Sequence, residues 1–156
     1  TNPGNVKYHL IGAYDINLLK PMVTTLKKLG SKRAWLVHGH DGIDEISISS
    51  PTTIFELNDG EINSFEIKPS DAGLNTHALS SILGGSPAEN ARHLTALLNG
   101  EISAYRDAVL LNSAAALMIA GLTKNLKEGV AIATRAIDSG TAKNTLELLS
   151  ESTKEI

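Results

Sequence analysis

Apolar positions fall in two rhythms along this chain. At residues 6–14, "VKYHLIGAY", Val6, Tyr8 and Leu10 share one face, and the β-branched and aromatic content predicts a strand. Asp15 follows as an N-cap, and Leu18, Met22, Leu26 and Leu29 recur at helical spacing, predicting a helix over 17–29. Pro21 is tolerated only in a first turn, which places the helix start near Asn17 or Leu18, and Gly30 marks its stop. Residues 33–38, "RAWLVH", lack alternation, as befits a strand covered on both faces in a parallel sheet. Strand, helix and strand in this order make a βαβ unit.

The rhythm then shortens. "EISIS" (45–49), "TTIFEL" (52–57) and "INSFEIK" (62–68) alternate over a few residues each and predict three strands. Asn58, Asp59 and Gly60 between the last two are hairpin-turn chemistry. From Ser86 the period becomes helical. "SPAE" (86–89) is a capping box with proline at the first helical position, opening a helix that should run to Asn99 and stop at Gly100. A second helix, 103–120, is alanine-rich and apolar almost all round, so it should be buried. A third, 126–139, places Leu126, Val130, Ala133 and Ile137 on one face and ends at Gly140; a fourth covers 142–150. The fold class is α/β: a central, mostly parallel sheet with an antiparallel hairpin section, covered by helices, and without an internal domain boundary.

Composition narrows the function. The longest apolar run, residues 114–122, is about half the roughly 20 residues of a membrane span, so no membrane role is expected. A net charge of −3 lacks the basic footprint of a nucleic-acid binder. The one dense basic group, Lys27, Lys28, Lys32 and Arg33, surrounds a helix end whose dipole it complements. With no cysteine, disulfides and thiolate metal sites are excluded, which fits a reducing interior. The chain opens on turn residues without methionine, which reads as the interior of a longer polypeptide.

The chemistry concentrates where the second strand ends. "HGHDGIDE" (38–45) sits at a carboxyl-terminal strand end, where open α/β sheets bind ligands. Gly39 and Gly42 permit tight turns or close approach, and Asp41, Asp44 and Glu45 offer hard oxygen ligands. Proteins seldom cage Mg2+ alone; they supply one or two carboxylates and leave the rest to water and substrate phosphates. In an extended segment adjacent side chains point to opposite sides, so Asp44 and Glu45 would bridge ions, or make one direct and one water-mediated contact. The reading is a phosphate-bearing substrate held through Mg2+. His38 and His40 lack a third histidine or cysteine at zinc spacing. No nucleophile elbow, dinucleotide fingerprint or Walker sequence is present. The glycines of "LGGSPAEN" (83–90) could present an anion site, but the capping box uses two of its donors. Asn90 and Asn112 sit on helices among apolar neighbours, and Asn112 should bond across helices.

Several strings converge in order: "TNP" (1–3), "GAYD" (12–15), "HGHDGIDE" (38–45), "GGSPAEN" (84–90), "RDAVLLNSAAAL" (106–117) and "LKEGVAIATRAIDSG" (126–140). Together they resemble the C-terminal half of the anthranilate phosphoribosyltransferase family of tryptophan biosynthesis, over essentially the whole chain. The resemblance implies a fold related to nucleoside phosphorylases, in which a small helical N-terminal domain joins a larger α/β domain. It implies transfer of phosphoribose from phosphoribosyl pyrophosphate to the amine of anthranilate, with Mg2+ as cofactor, in a cytoplasmic homodimer.

Asp44 and Glu45 match the family's Mg2+-binding acidic pair. The family's glycine-rich phosphate loop, its Ser/Thr and Lys segment and an anthranilate-contacting arginine belong to the N-terminal portion, and nothing here matches them. Residues 1–156 then correspond to the C-terminal portion of a two-domain enzyme, inactive without its partner portion, and no catalytic residue is assigned in this chain. Competing readings are a pyrimidine nucleoside phosphorylase of the same fold class, a noncatalytic nucleic-acid-binding relative, and a helical packing module.

Overall fold

A computed structural model describes residues 4–154; the "TNP" string at 1–3 lies outside them. Nine main elements follow in order: β1 (Tyr8–Gly12), α1 (Leu19–Lys28), β2 (Arg33–Gly39), β3 (Thr52–Asn58), β4 (Glu61–Ile67), α2 (Pro87–Leu98), α3 (Ala104–Ile119), α4 (Leu126–Asp138) and α5 (Thr141–Ser152). The strands form one sheet in the order β1-β2-β3-β4.

The α/β class is as the pattern predicts, but the parallel share is smaller than expected. Only β1 and β2 pair in parallel; β2 with β3 and β3 with β4 are antiparallel. The reason lies in the connections. α1 carries the chain back across the sheet between β1 and β2, whereas the 40–51 loop contains no helix and turns the chain directly into β3. The β3–β4 hairpin closes through Asp59 and Gly60, both at positive φ (46° and 97°), the two-residue turn that Asn-Asp-Gly favours.

β2 shows why a strand without alternation is buried. Trp35 and Val37 join a core with Ile54, Leu111, Ala114 and Ala115 under α3. Ala34 and Leu36 join the opposite core with Leu19 and Val23 of α1. At about 25 cal/mol per Å² of apolar surface, this double coverage makes β2 the most strongly anchored strand. The helix boundaries also follow the sequence. Asp15 accepts from the Asn17 N–H, starting a short 3-10 turn that leads into α1, and Pro21 falls in the first turn of α1. Ser86 and Glu89 form the capping box of α2. Gly30, Gly100 and Gly140 end α1, α2 and α4. Leu29 differs: it is 71% exposed, because α1 buries Leu19 and Val23 rather than continuing the Leu18–Leu26 stripe to its last turn.

The predicted strand at 45–49 is absent. Ile46, Ser47 and Ile48 are buried as its alternation suggested, but the segment is a loop. Its backbone groups are satisfied elsewhere. The Ile46 N–H and C=O bond the Asn112 side chain, the Ser47 N–H donates to Thr52 Oγ1, and the Ile48 carbonyl accepts from the His77 N–H. With those groups taken, no ladder can form.

Candidate active site

The site sits at the carboxyl ends of the parallel β1–β2 pair. Loop 40–51 leaves Gly39 and folds back on itself through Gly39 N–H to the Ile43 carbonyl (3.0 Å) and His40 N–H to the Pro51 carbonyl (2.9 Å). Asp41 organises its interior. Its Oδ2 accepts from the hydroxyls of Ser47 (2.6 Å) and Ser49, while its N–H donates to Ser50 Oγ (3.1 Å). The sequence groups Asp41 with Asp44 and Glu45 as an oxygen ligand; the structure directs its Oδ2 to the serines of its own loop and buries its Oδ1 without a hydrogen-bond partner among the described residues.

Burial acts to raise the Asp41 carboxyl, but the hydrogen bonds from Ser47, Ser49 and backbone N–H groups outweigh it and hold the group below its ordinary value. The linkage sign follows. With the folded value depressed, the contribution of Asp41 to stability is complete above the ordinary carboxylate range and lost as pH falls through the folded value. Asp41→Asn is therefore expected to lower stability by about 1–2 kcal/mol near neutrality, from the loss of charge-assisted bonds. It should also flatten the acid side of the stability profile. Thermal melts between neutral and acid pH check this; parallel acid limbs in both proteins would rule it out.

Asp44 and Glu45 lie on the outer side of the loop. Both are exposed, and neither carboxylate makes a hydrogen bond or ion pair among the described residues. Two uncommitted hard-oxygen donors fit a Mg2+ that draws its other ligands from water and phosphate oxygens. They do not make a closed cage: among the described residues, no group of three or more His, Cys, Asp or Glu could hold a metal ion. Glu45 also borders an open cavity of about 430 Å3 between the 79–82 turn and α3, lined by Ile82, Tyr105, Val109, Asn112 and Ser113.

The histidines serve the frame. His38 Nδ1 donates to the Ala13 carbonyl on the β1 side (2.8 Å). His40 Nε2 bonds Thr53 Oγ1 on the β3 side (2.8 Å), with Glu66 at 3.4 Å. Bonded to opposite neighbours of β2, they do not converge on a metal.

Two residues that sequence reading left outside the site shape it. An added Cβ on Gly12 would fall 1.4 Å from the Asp44 carbonyl oxygen, so the last residue of β1 lies directly against the Asp44 backbone. Asn112 holds the residue after Glu45, rather than bonding across helices. "GAYD" at a strand end and an asparagine in an apolar helix were the available signals; only the three-dimensional contacts reveal their partners.

The 83–90 loop is a turn that spends the Gly85, Ser86 and Glu89 N–H groups on its own side chains. The Gly85 N–H donates to Asn90 Oδ1 (2.8 Å), the Ser86 N–H to Glu89 Oε2 (2.8 Å), and the Glu89 N–H to Ser86 Oγ (3.4 Å). The hydrogen bonds from the Ser86 side chain and backbone lower the Glu89 carboxyl below its ordinary value. No helix among the described residues is long and apolar enough to cross a membrane.

Comparison with known proteins agrees with this layout. The chain is 49% identical over 152 residues to the anthranilate phosphoribosyltransferase of Myxococcus xanthus, covering 97% of this chain and 45% of that protein. A relative of the same name from Methylocella silvestris is also 49% identical, over 96% of this chain and 43% of that protein. Among solved structures, anthranilate phosphoribosyltransferase from Saccharomyces cerevisiae in complex with PRPP and Mg superposes with a TM-score of 0.87 at 29% identity, over 96% of this chain and 43% of that one. The Thermus thermophilus enzyme gives 0.85 at 36% identity, over 94% and 43%. The chain thus spans less than half the length of the relatives it matches. The family model described as "Glycosyl transferase family, a/b domain" matches residues 1–143, from before β1 into the start of α5, and the chain belongs to that family.

Proposed function

We propose that this chain is the α/β portion of an anthranilate phosphoribosyltransferase of tryptophan biosynthesis. The reaction moves phosphoribose from phosphoribosyl pyrophosphate to the amine of anthranilate. The bond from the sugar's anomeric carbon to pyrophosphate breaks, a carbon–nitrogen bond forms, and the amine gives up a proton. The observation that carries this reading is the uncommitted pair Asp44–Glu45 on a loop at the carboxyl ends of β1 and β2, in a chain whose named relatives catalyse this transfer. Bound Mg2+ would supply Lewis-acid neutralisation of the departing pyrophosphate. The residues of this chain hold the two carboxylates toward solvent, fix their backbone and leave an adjoining cavity open. The remainder of catalysis is positioning of amine and sugar. No general base is assigned to this chain.

A helical N-terminal domain and a phosphate loop complete the site from a portion outside these residues. Support comes from the relatives, which are more than twice as long as the match. We extend the reading to a homodimer in the cytoplasm, a setting that suits the cysteine-free composition. The expected result is no turnover by residues 1–156 alone with phosphoribosyl pyrophosphate, Mg2+ and anthranilate, and restored turnover on adding the remaining portion. Product above background from the chain alone would overturn the division of labour. No product from the assembled enzyme would overturn the reaction.

A further inference from the structure

The geometry points to Asn112 as the positioning residue of the acidic pair, an inference that rests on Asp44 and Glu45 being cation ligands. Its amide makes three hydrogen bonds. Oδ1 accepts from the Ile46 N–H (3.1 Å), and Nδ2 donates to the Ile46 carbonyl (3.0 Å) and to the Ala108 carbonyl one turn back on α3 (3.0 Å). The Ala108 bond fixes the amide on its own helix. The other two grip both polar groups of a single residue, as a neighbouring strand would. That residue directly follows Glu45, and its side chain is 1% exposed, so it is held at backbone and side chain together.

The support beneath the amide is rigid. Leu111, Ala114 and Ala115, the residues around Asn112, lie fully buried in the core against β2 and β3. Asn112 thus transmits the position of the most buried helix to the carboxylate one peptide away. Sites held by secondary-structure elements keep tighter geometry than sites on free loops. Glu45 and Asn112 also border the same cavity, so the amide lies beside the space the cation's other ligands would enter.

A residue that only satisfied a buried loop would cost stability and leave cation affinity alone; a positioning residue moves both. The test uses the assembled enzyme, phosphoribosyl pyrophosphate and Mn2+ as the probe, with free Mn2+ read by electron paramagnetic resonance and Tm read in parallel. Asn112→Ala is expected to raise the Mn2+ half-saturation concentration about tenfold or more, the usual scale for outer-sphere partners. Leu110→Ala is the comparator. Leu110 is buried on the α3 side that faces α2 and α4, in a cluster with Leu97, Ala133 and Ile137 apart from the one that holds Ile46, so Leu110→Ala should lower Tm without moving that midpoint. If Asn112→Ala does not fold, Asn112→Ser carries the same expectation, since its hydroxyl reaches Ala108 but not Ile46. A midpoint shift no larger than that of Leu110→Ala overturns the positioning role. A doubly substituted Asp44→Asn/Glu45→Gln enzyme that keeps the native midpoint overturns the cation reading instead.

Discussion

In the assembled enzyme, converting Asp44 to Asn and Glu45 to Gln together should sharply reduce catalysis and leave the fold intact. Losing several kcal/mol of charge stabilisation at the leaving group corresponds to a fall in kcat/KM of about 10²–10³. Stability should change by no more than about 0.5 kcal/mol, because neither carboxylate bonds to the rest of the domain. Asn and Gln retain weak oxygen donors, so excess Mg2+ should recover part of the activity. The measurement is steady-state kinetics across Mg2+ concentrations alongside a thermal melt. Unchanged kinetics and unchanged Mg2+ dependence would favour a phosphorylase that uses inorganic phosphate over a transferase that releases a diphosphate.

Gly12→Ala should show the opposite division, with the fold failing first. The new Cβ would fall 1.4 Å from the Asp44 carbonyl oxygen, 2.3 Å from its carbon and 3.1 Å from its Cα. All three are backbone atoms, so no rotamer change relieves the clash. β1 cannot retreat, since Gly12 is in register with Val37 of β2, itself covered on both faces. The loop cannot retreat either, since the Gly39 N–H and Asn112 hold it on both sides of Asp44. Overpacking a core site costs about 1–3 kcal/mol, and two fixed backbones put this site at or above the top of that range. Tm should fall by about 6–12 °C, and whatever folds should bind Mn2+ poorly because Asp44 is displaced. A melt within about 1 °C of the native protein would show that the loop can yield where the structure says it cannot.

Much of this arrangement was legible in the residues. The place of Asp44 and Glu45 on the loop after an apolar strand follows from the sequence, and the hairpin, capping box and helix stops follow from local chemistry. What escaped notice involves partners far apart in sequence. "EISIS" alternates like a strand, but Asn112 occupies the backbone groups that would have paired, from 66 positions away. The parallel share was overestimated because an unalternating strand reports burial on both faces, not the direction of its neighbours. β2 is buried on both faces while pairing antiparallel with β3. The turn of Asp41 Oδ2 toward Ser47 and Ser49, six and eight positions on, is equally out of reach of the pattern, because it depends on how the loop folds back.

The acidic pair is thus pinned by β1 on one side and by α3 on the other, across most of the chain. Neither contact is local, so both arise only after the long-range closures that make high-contact-order domains slow to fold. No fragment ending before α3 would inherit the site, and cation affinity should appear in refolding only with the last cooperative step. In amide hydrogen exchange, the Ile46 N–H should open with the global unfolding of the domain rather than with the fraying of a surface loop.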